Sequence, residues 1–140
     1  AASMGAIAFQ KGLGMIHSMA HPLSAEHNLH HGLANAMLIP ASLEFSIKKA
    51  LDEKMVSLIE KFKNITEIIS CNTLSDIDNL PYLLREFINS AGINLGLENE
   101  NIREDQIKKL SQLAFEDSCH VTHPFPVTIK DFATVLSNSL

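Results

Sequence analysis

The chain has 140 residues, 46% of them hydrophobic, and a formal net charge of −5, which is enough apolar content for one buried core, so a single domain is expected. Its eleven basic residues are scattered and form no stripe, which argues against nucleic acid or an anionic membrane surface as a partner. The longest apolar stretch, Leu33 to Leu43, is too short to span a bilayer and contains Pro40, the N-terminus lacks the basic flank of a signal peptide, and the two cysteines, Cys71 and Cys119, are expected as reduced thiols in a cytoplasmic protein.

The opening run AASMGAIAFQKGLG looks like the end of a helix already under way. Next, Gly12 to Pro40 reads GLGMIHSMAHPLSAEHNLHHGLANAMLIP and holds five of the seven histidines, His17, His21, His27, His30 and His31. Histidine is the commonest neutral nitrogen ligand for iron and zinc and titrates near neutrality, so the density points to a metal or proton-transfer site. A single histidine on an apolar helix face is usually structural; an ordered set is not. His17 and His21 are four apart and share a face if the stretch is helical. Pro22 disfavours the α region for the residue before it, so the helix is expected to end near His21, followed by a polar loop from Ser24 to His30. A second helix then starts at His31, with Gly32 permitting close approach and Ala34, Ala36, Met37 and Leu38 as helix formers. This hairpin returns His31 beside His17 and His21, so three imidazoles converge. His27 and His30 fall in the loop and are expected to be solvated.

Farther on, Leu51, Met55, Leu58 and Phe62 recur at helical spacing among charged residues, which predicts one surface helix. Strand signals are weak, with a β-branched cluster only at Asn64 to Ile69. Leu84, Phe87, Ile88 and Ala91 mark another helix, with Pro81 in its first turn and Gly92 past its end. Arg103 to Phe115 opens on Glu104 and Asp105, which suits a helix N-terminus, and carries Ile107, Leu110 and Ala114 on one side. Thr128 and Asp131 form a capping pair ahead of Ile129, Phe132, Ala133 and Leu136. Between these helices, Cys71 to Asn79 and Gly92 to Asn101 read as polar connectors. The sum is an all-α bundle of about six or seven short helices. In the closing segment His120 and His123 form no assignable spacing and are expected to be exposed in a loop.

One longer pattern runs through the histidine region: Gly12, Leu13, Gly14, His17, Ala20, His21, Pro22, Leu23, then His31, Gly32, Leu33, Ala34, Asn35, Ala36, Leu38 and Pro40. It resembles the C-terminal helical domain of the iron-dependent (group III) alcohol dehydrogenases. The resemblance implies that His17 and His31 bind the catalytic metal, Fe2+ or Zn2+. It places His21 beside the nicotinamide and substrate as a catalytic residue that is not a ligand, whereas spacing alone favours His17 with His21 as the metal pair. Ligands drawn from two helices surround a cation better while leaving a position open for substrate oxygen. Cys119 matches a position that borders the substrate pocket; a small buried residue at a helix end is the competing reading.

The resemblance further implies that two more ligands, an aspartate and a histidine, and the domain binding NAD or NADP lie upstream and are absent from this chain. No Gly-rich phosphate-binding turn follows a strand here. The 140 residues are therefore expected to be a C-terminal fragment, inert alone, holding metal weakly or not at all, and exposing an apolar patch that favours a homodimer. Its parent is expected to interconvert small alcohols and aldehydes. A zinc enzyme of the glycerol dehydrogenase type and a non-catalytic helical remnant are the alternatives. Ser24 stands where the family usually has glycine. His123, Pro124 and Phe125 replace the Asn-Pro-Arg run of many relatives, so loop packing or the substrate class is expected to differ.

Overall fold

Seven α-helices joined by short turns make up the computed structural model, which describes residues 1–71 and 76–140; no strand occurs among the described residues. They are α1 (Ala2–Phe9), α2 (Met15–His27), α3 (His31–Asp52), α4 (Val56–Ser70), α5 (Leu80–Ser90), α6 (Glu104–Glu116) and α7 (Ile129–Ser137). Positions 72–75 of the Cys71 to Asn79 connector lie outside the described residues. No helix described is long and apolar enough to cross a membrane.

The opening run forms α1, which buries none of its residues and leaves Met4, Ile7 and Phe9 in solvent. It ends in a turn at Gly12, whose φ is +92°. A side chain there would also meet Thr122, whose Oγ1 lies 2.6 Å from the Cβ position. Only glycine meets both demands. Thr122 Oγ1 in turn donates to the Leu13 carbonyl, which ties the start of α2 to the segment after α6.

Helix α2 does not end near His21 as expected; it continues for six residues beyond, with Pro22 inside it. Pro22 forfeits the bond its missing N–H would make to the Ser18 carbonyl. Breaking the helix there would expose Leu23 and Pro22, both buried in α2, and losing Leu23 alone costs about 1.5–3 kcal/mol. Packing outweighs the local preference. The loop is therefore shorter than Ser24 to His30: Asn28 adopts the left-handed conformation, φ 53°, as the C-cap. His30 then opens α3, its carbonyl accepting from the Ala34 N–H at 2.9 Å. Pro40 lies buried inside α3.

The stripe from Leu51 to Phe62 belongs to two helices and not one. Helix α3 stops at Asp52, Lys54 turns left-handed with φ 54°, and the Met55 N–H reaches back to the Ala50 carbonyl at 2.8 Å before α4 starts. The β-branched cluster at 64–69 is part of α4, where Thr66 hydrogen-bonds the Phe62 carbonyl at 2.8 Å. Helices α5, α6 and α7 fall where their periodicity predicts. The Thr128–Asp131 capping box is formed, with the Asp131 carboxylate accepting the Thr128 N–H at 2.8 Å. Phe87, however, faces solvent and leaves Leu80 and Ile88 as the buried residues of α5.

Two apolar clusters result. The larger is built from α2, the first half of α3, α6 and α7, around Met15, Met19, Leu38, Leu110 and Phe132. The smaller joins Ile47 and Ala50 at the end of α3 to Phe62 of α4 and Leu80 of α5. Helix α3 runs through both.

Candidate active site

His17 stands in the first turn of α2, His21 one turn later, and His31 is the first residue of α3. The short 28–30 loop folds the helices back on each other and brings all three rings together. Ring centroids are 5.3 Å apart for His17 and His31, 5.2 Å for His21 and His31, and 6.2 Å for His17 and His21. Burial, then repulsion from His31 and His21, lowers the His17 pKa, partly offset by attraction from Asp117. The Asn35 side-chain amide lies one turn along α3 and donates to the His31 carbonyl at 2.9 Å, with the His31 Nε2 at 3.0 Å. An amide nitrogen has only hydrogens to offer, so that Nε2 is unprotonated. A divalent metal requires an imidazole lone pair; that of His31 Nε2 is held by Asn35 and is yielded only when a metal displaces the amide, while burial biases His17 towards the neutral, metal-binding form, so the donor set fits a metal.

His21 has a second attachment. Its Nδ1 lies 2.7 Å from Oδ2 of Asp117, where the chain leaves α6. The other carboxylate oxygen accepts from the Ser18 hydroxyl at 3.1 Å and from the Cys119 N–H at 2.8 Å. Burial opposes ionisation of Asp117, but the hydrogen bonds from His21, Cys119 and Ser18 prevail and hold its pKa down to about 2. Nothing in the sequence pattern picks out Asp117. Its local signal is that of an N-cap, an acid immediately before the Ser118–Thr122 turn that accepts the N–H two residues on. Cys119 sits against the same pair, its Sγ 4.0 Å from His21 Nδ1. Burial and the neighbouring carboxylate push its thiol up to about 11, so it stays protonated.

The remaining histidines are apart from the trio. His27 closes α2 and His30 is exposed. His120 and His123 are not the free loop residues expected. His120 stacks on Phe115 and its Nε2 donates to the Phe115 carbonyl at 2.9 Å. His123 packs edge-on against Phe125 at 4.4 Å, and a Cβ on Gly14 would come within 3.0 Å of its Nδ1. Phe125, at the position where the resemblance leads one to expect arginine, is a buried packing partner. Beside His17 lies an apolar cavity of about 390 Å³ between α2, α3 and α4, bounded by Leu58, Phe62 and Phe125. Three of its lining residues, Asn35, Ser42 and His123, carry a buried polar atom without a hydrogen-bond partner.

Residues 1–140, the whole chain, match the family model for the C-terminal part of Fe-containing alcohol dehydrogenases. The chain belongs to the iron-containing alcohol dehydrogenase family. Within that family it is similar to a 4-hydroxybutyrate dehydrogenase of Cupriavidus necator, at 30% identity over 100% of this chain and 36% of that protein. It is 27% identical to an NAD-dependent methanol dehydrogenase of Bacillus methanolicus, over 98% of this chain and 35% of the relative. The chain therefore spans about a third of the length of the curated relatives it matches. Its fold is shared with an alcohol dehydrogenase from Oenococcus oeni, with a TM-score of 0.77, 21% identity and 91% of this chain covered against 32% of the other. A 1,3-propanediol oxidoreductase superposes with a TM-score of 0.76 at 19% identity, over 91% of this chain and 32% of that one. Both likenesses show a shared all-α fold over 91% of this chain.

Proposed function

We propose that these 140 residues are the metal-binding helical part of an NAD(P)-dependent alcohol dehydrogenase, with the dinucleotide held by a domain outside them. His17 and His31 bind the metal, Fe2+ or Zn2+, and His21 handles the proton. The observation that carries this reading is the meeting of three imidazoles from two helices, with His17 biased towards its neutral form. Small alcohols and aldehydes are the substrates, and the active enzyme is a cytoplasmic homodimer. With only two ligands of its own the isolated chain holds metal weakly and does not turn over.

A bound divalent metal supplies Lewis acidity that lowers the pKa of an alcohol oxygen. The chain's own residues do the rest. A bound nicotinamide would supply the hydride acceptor for the carbinol carbon; His21 would take the hydroxyl proton on a ring nitrogen and pass it to solvent, which reaches this half-exposed side chain. Asn35, which donates to the His31 carbonyl, anchors the first turn of α3 that carries the ring, and its contact with Nε2 would give way to a bound metal. In the aldehyde direction the same proton returns from His21 to the product oxygen.

Metal analysis and turnover of variants in the intact dehydrogenase separate the roles. His17→Ala and His31→Ala are expected to lose bound metal, while His21→Ala keeps it and loses about 100-fold or more in kcat. Full metal retention by all three variants would remove the ligand assignment. Full turnover by His21→Ala would remove the proton role.

A further inference from the structure

We propose that Asp117 is the positioning residue for His21, holding the imidazole in the tautomer that carries its hydrogen on Nδ1 and leaves Nε2 as the proton acceptor. The catalytic consequence rests on the reading of His21 given above; the tautomer itself does not.

The two carboxylate oxygens of Asp117 have separate tasks. Oδ1 takes the Ser18 hydroxyl at 3.1 Å and the Cys119 N–H at 2.8 Å, and Oδ2 faces His21 Nδ1 at 2.7 Å. An ionised carboxylate only accepts, so the hydrogen in the short contact belongs to Nδ1. The carboxylate cannot rotate away without breaking the two Oδ1 bonds, one of them to Ser18, which is fully buried. Ser18 and His21 are three residues apart on α2 and face the same way. A single acid arriving from the end of α6, about a hundred positions later in the chain, therefore grips two side chains of the histidine helix at once. One face of the ring is covered by stacking on His31, with an interplanar angle of 22°. With Nδ1 engaged, Nε2 is the ring nitrogen left to receive a proton.

The same three side chains, His21, Asp117 and Cys119, bring potential ligand atoms within 4.8 Å of one another. A cation among them would have to take Nδ1 from Asp117 and ionise a thiol whose pKa is pushed up to about 11. The hydrogen-bonded arrangement needs neither change, and it is the one the distances describe.

Separation of the two oxygens makes Asp117→Asn informative. The amide oxygen can keep both the Ser18 and the Cys119 bonds, which directs the NH2 group at His21 Nδ1. That nitrogen must then accept, and the ring hydrogen moves to Nε2. The shape is conserved and the tautomer inverted, a change that in a histidine general base removes its function while leaving its place intact.

Two measurements decide the matter. Nitrogen NMR of the 15N-histidine-labelled 140-residue chain is expected to show His21 protonated at Nδ1 and bare at Nε2, and the reverse in Asp117→Asn. In the intact dehydrogenase the variant is expected to lose about 100-fold or more in kcat, with KM for the alcohol and the metal content changed by less than about threefold. A native His21 protonated at Nε2, or an Asp117→Asn enzyme with undiminished kcat, overturns the proposal. If Asp117→Asn fails to fold, the spectrum of the native chain still decides the tautomer. If the native dehydrogenase turns over no alcohol, the functional reading fails while the spectra still decide the role of Asp117.

Discussion

At the scale of single residues, His123 shows how a side chain's surroundings set its charge. Burial, with a smaller push from His120, lowers its pKa from 6.5 to about 4. The unfolded chain therefore binds a proton as pH falls through 6.5 while the folded chain does not, so stability drops between about pH 6.5 and 4 and the loss is complete below the folded value. Discounted for the ring's residual exposure, the effect is about 2 kcal/mol. Asp117 acts in a separate window: its stabilisation is full above 3.8 and is lost as pH falls towards 2. Denaturant melts of His123→Leu are expected to recover about 2 kcal/mol at pH 4 relative to the parent chain, after normalising both at pH 7; equal slopes for the two proteins would contradict this origin. The histidine trio is legible in the sequence because its members lie within 15 positions, where helix geometry and one short loop govern who meets whom. Asp117 and His123 are illegible for the opposite reason. Their partners, His21 and Gly14, lie about a hundred residues away, and no local spacing announces a contact made only by tertiary packing.

At the scale of elements, the helix ends separate what local chemistry decides from what packing decides. The Thr128–Asp131 box and the acidic start of α6 form as their side chains dictate, because a cap satisfies N–H groups within the same few residues. Pro22 misleads because the cost of a lost hydrogen bond is local whereas the gain from burying Leu23 is not. The break at Lys54 misleads in the other direction: no glycine or proline marks it, and the stripe from Leu51 to Phe62 keeps helical spacing straight across it. A lysine in the left-handed region carries steric strain from its Cβ that glycine lacks. Lys54→Gly is expected to raise unfolding stability by about 0.5–1 kcal/mol, read as a shift in urea midpoint at constant m-value. No gain would mean that α3 runs on past Asp52 in solution.

On the scale of the whole molecule, the functional side chains belong to one cluster and not the other. His17, His21 and His31 ride on α2 and the start of α3, whose buried faces join α6 and α7, and Asp117 completes the group from the end of α6. Helices α4 and α5 rest on the far half of α3 through a smaller set of buried residues. Class and helix count are readable from periodicity; this division is not, since the stripe on each helix says that a face is buried and not which neighbour buries it.

That division is expected to split the bundle into two cooperative units of unequal strength that share α3. Amide exchange in deuterated water is expected to show α4 and α5 opening together, at a lower free energy than α2 and α6, while the Ser18 and Met19 amides stay protected until the molecule opens globally. Uniform protection across all the helices would refute it. The imidazoles thereby sit on the slower unit, so heat or mild urea is expected to loosen two of the seven helices and leave the constellation around His17 assembled.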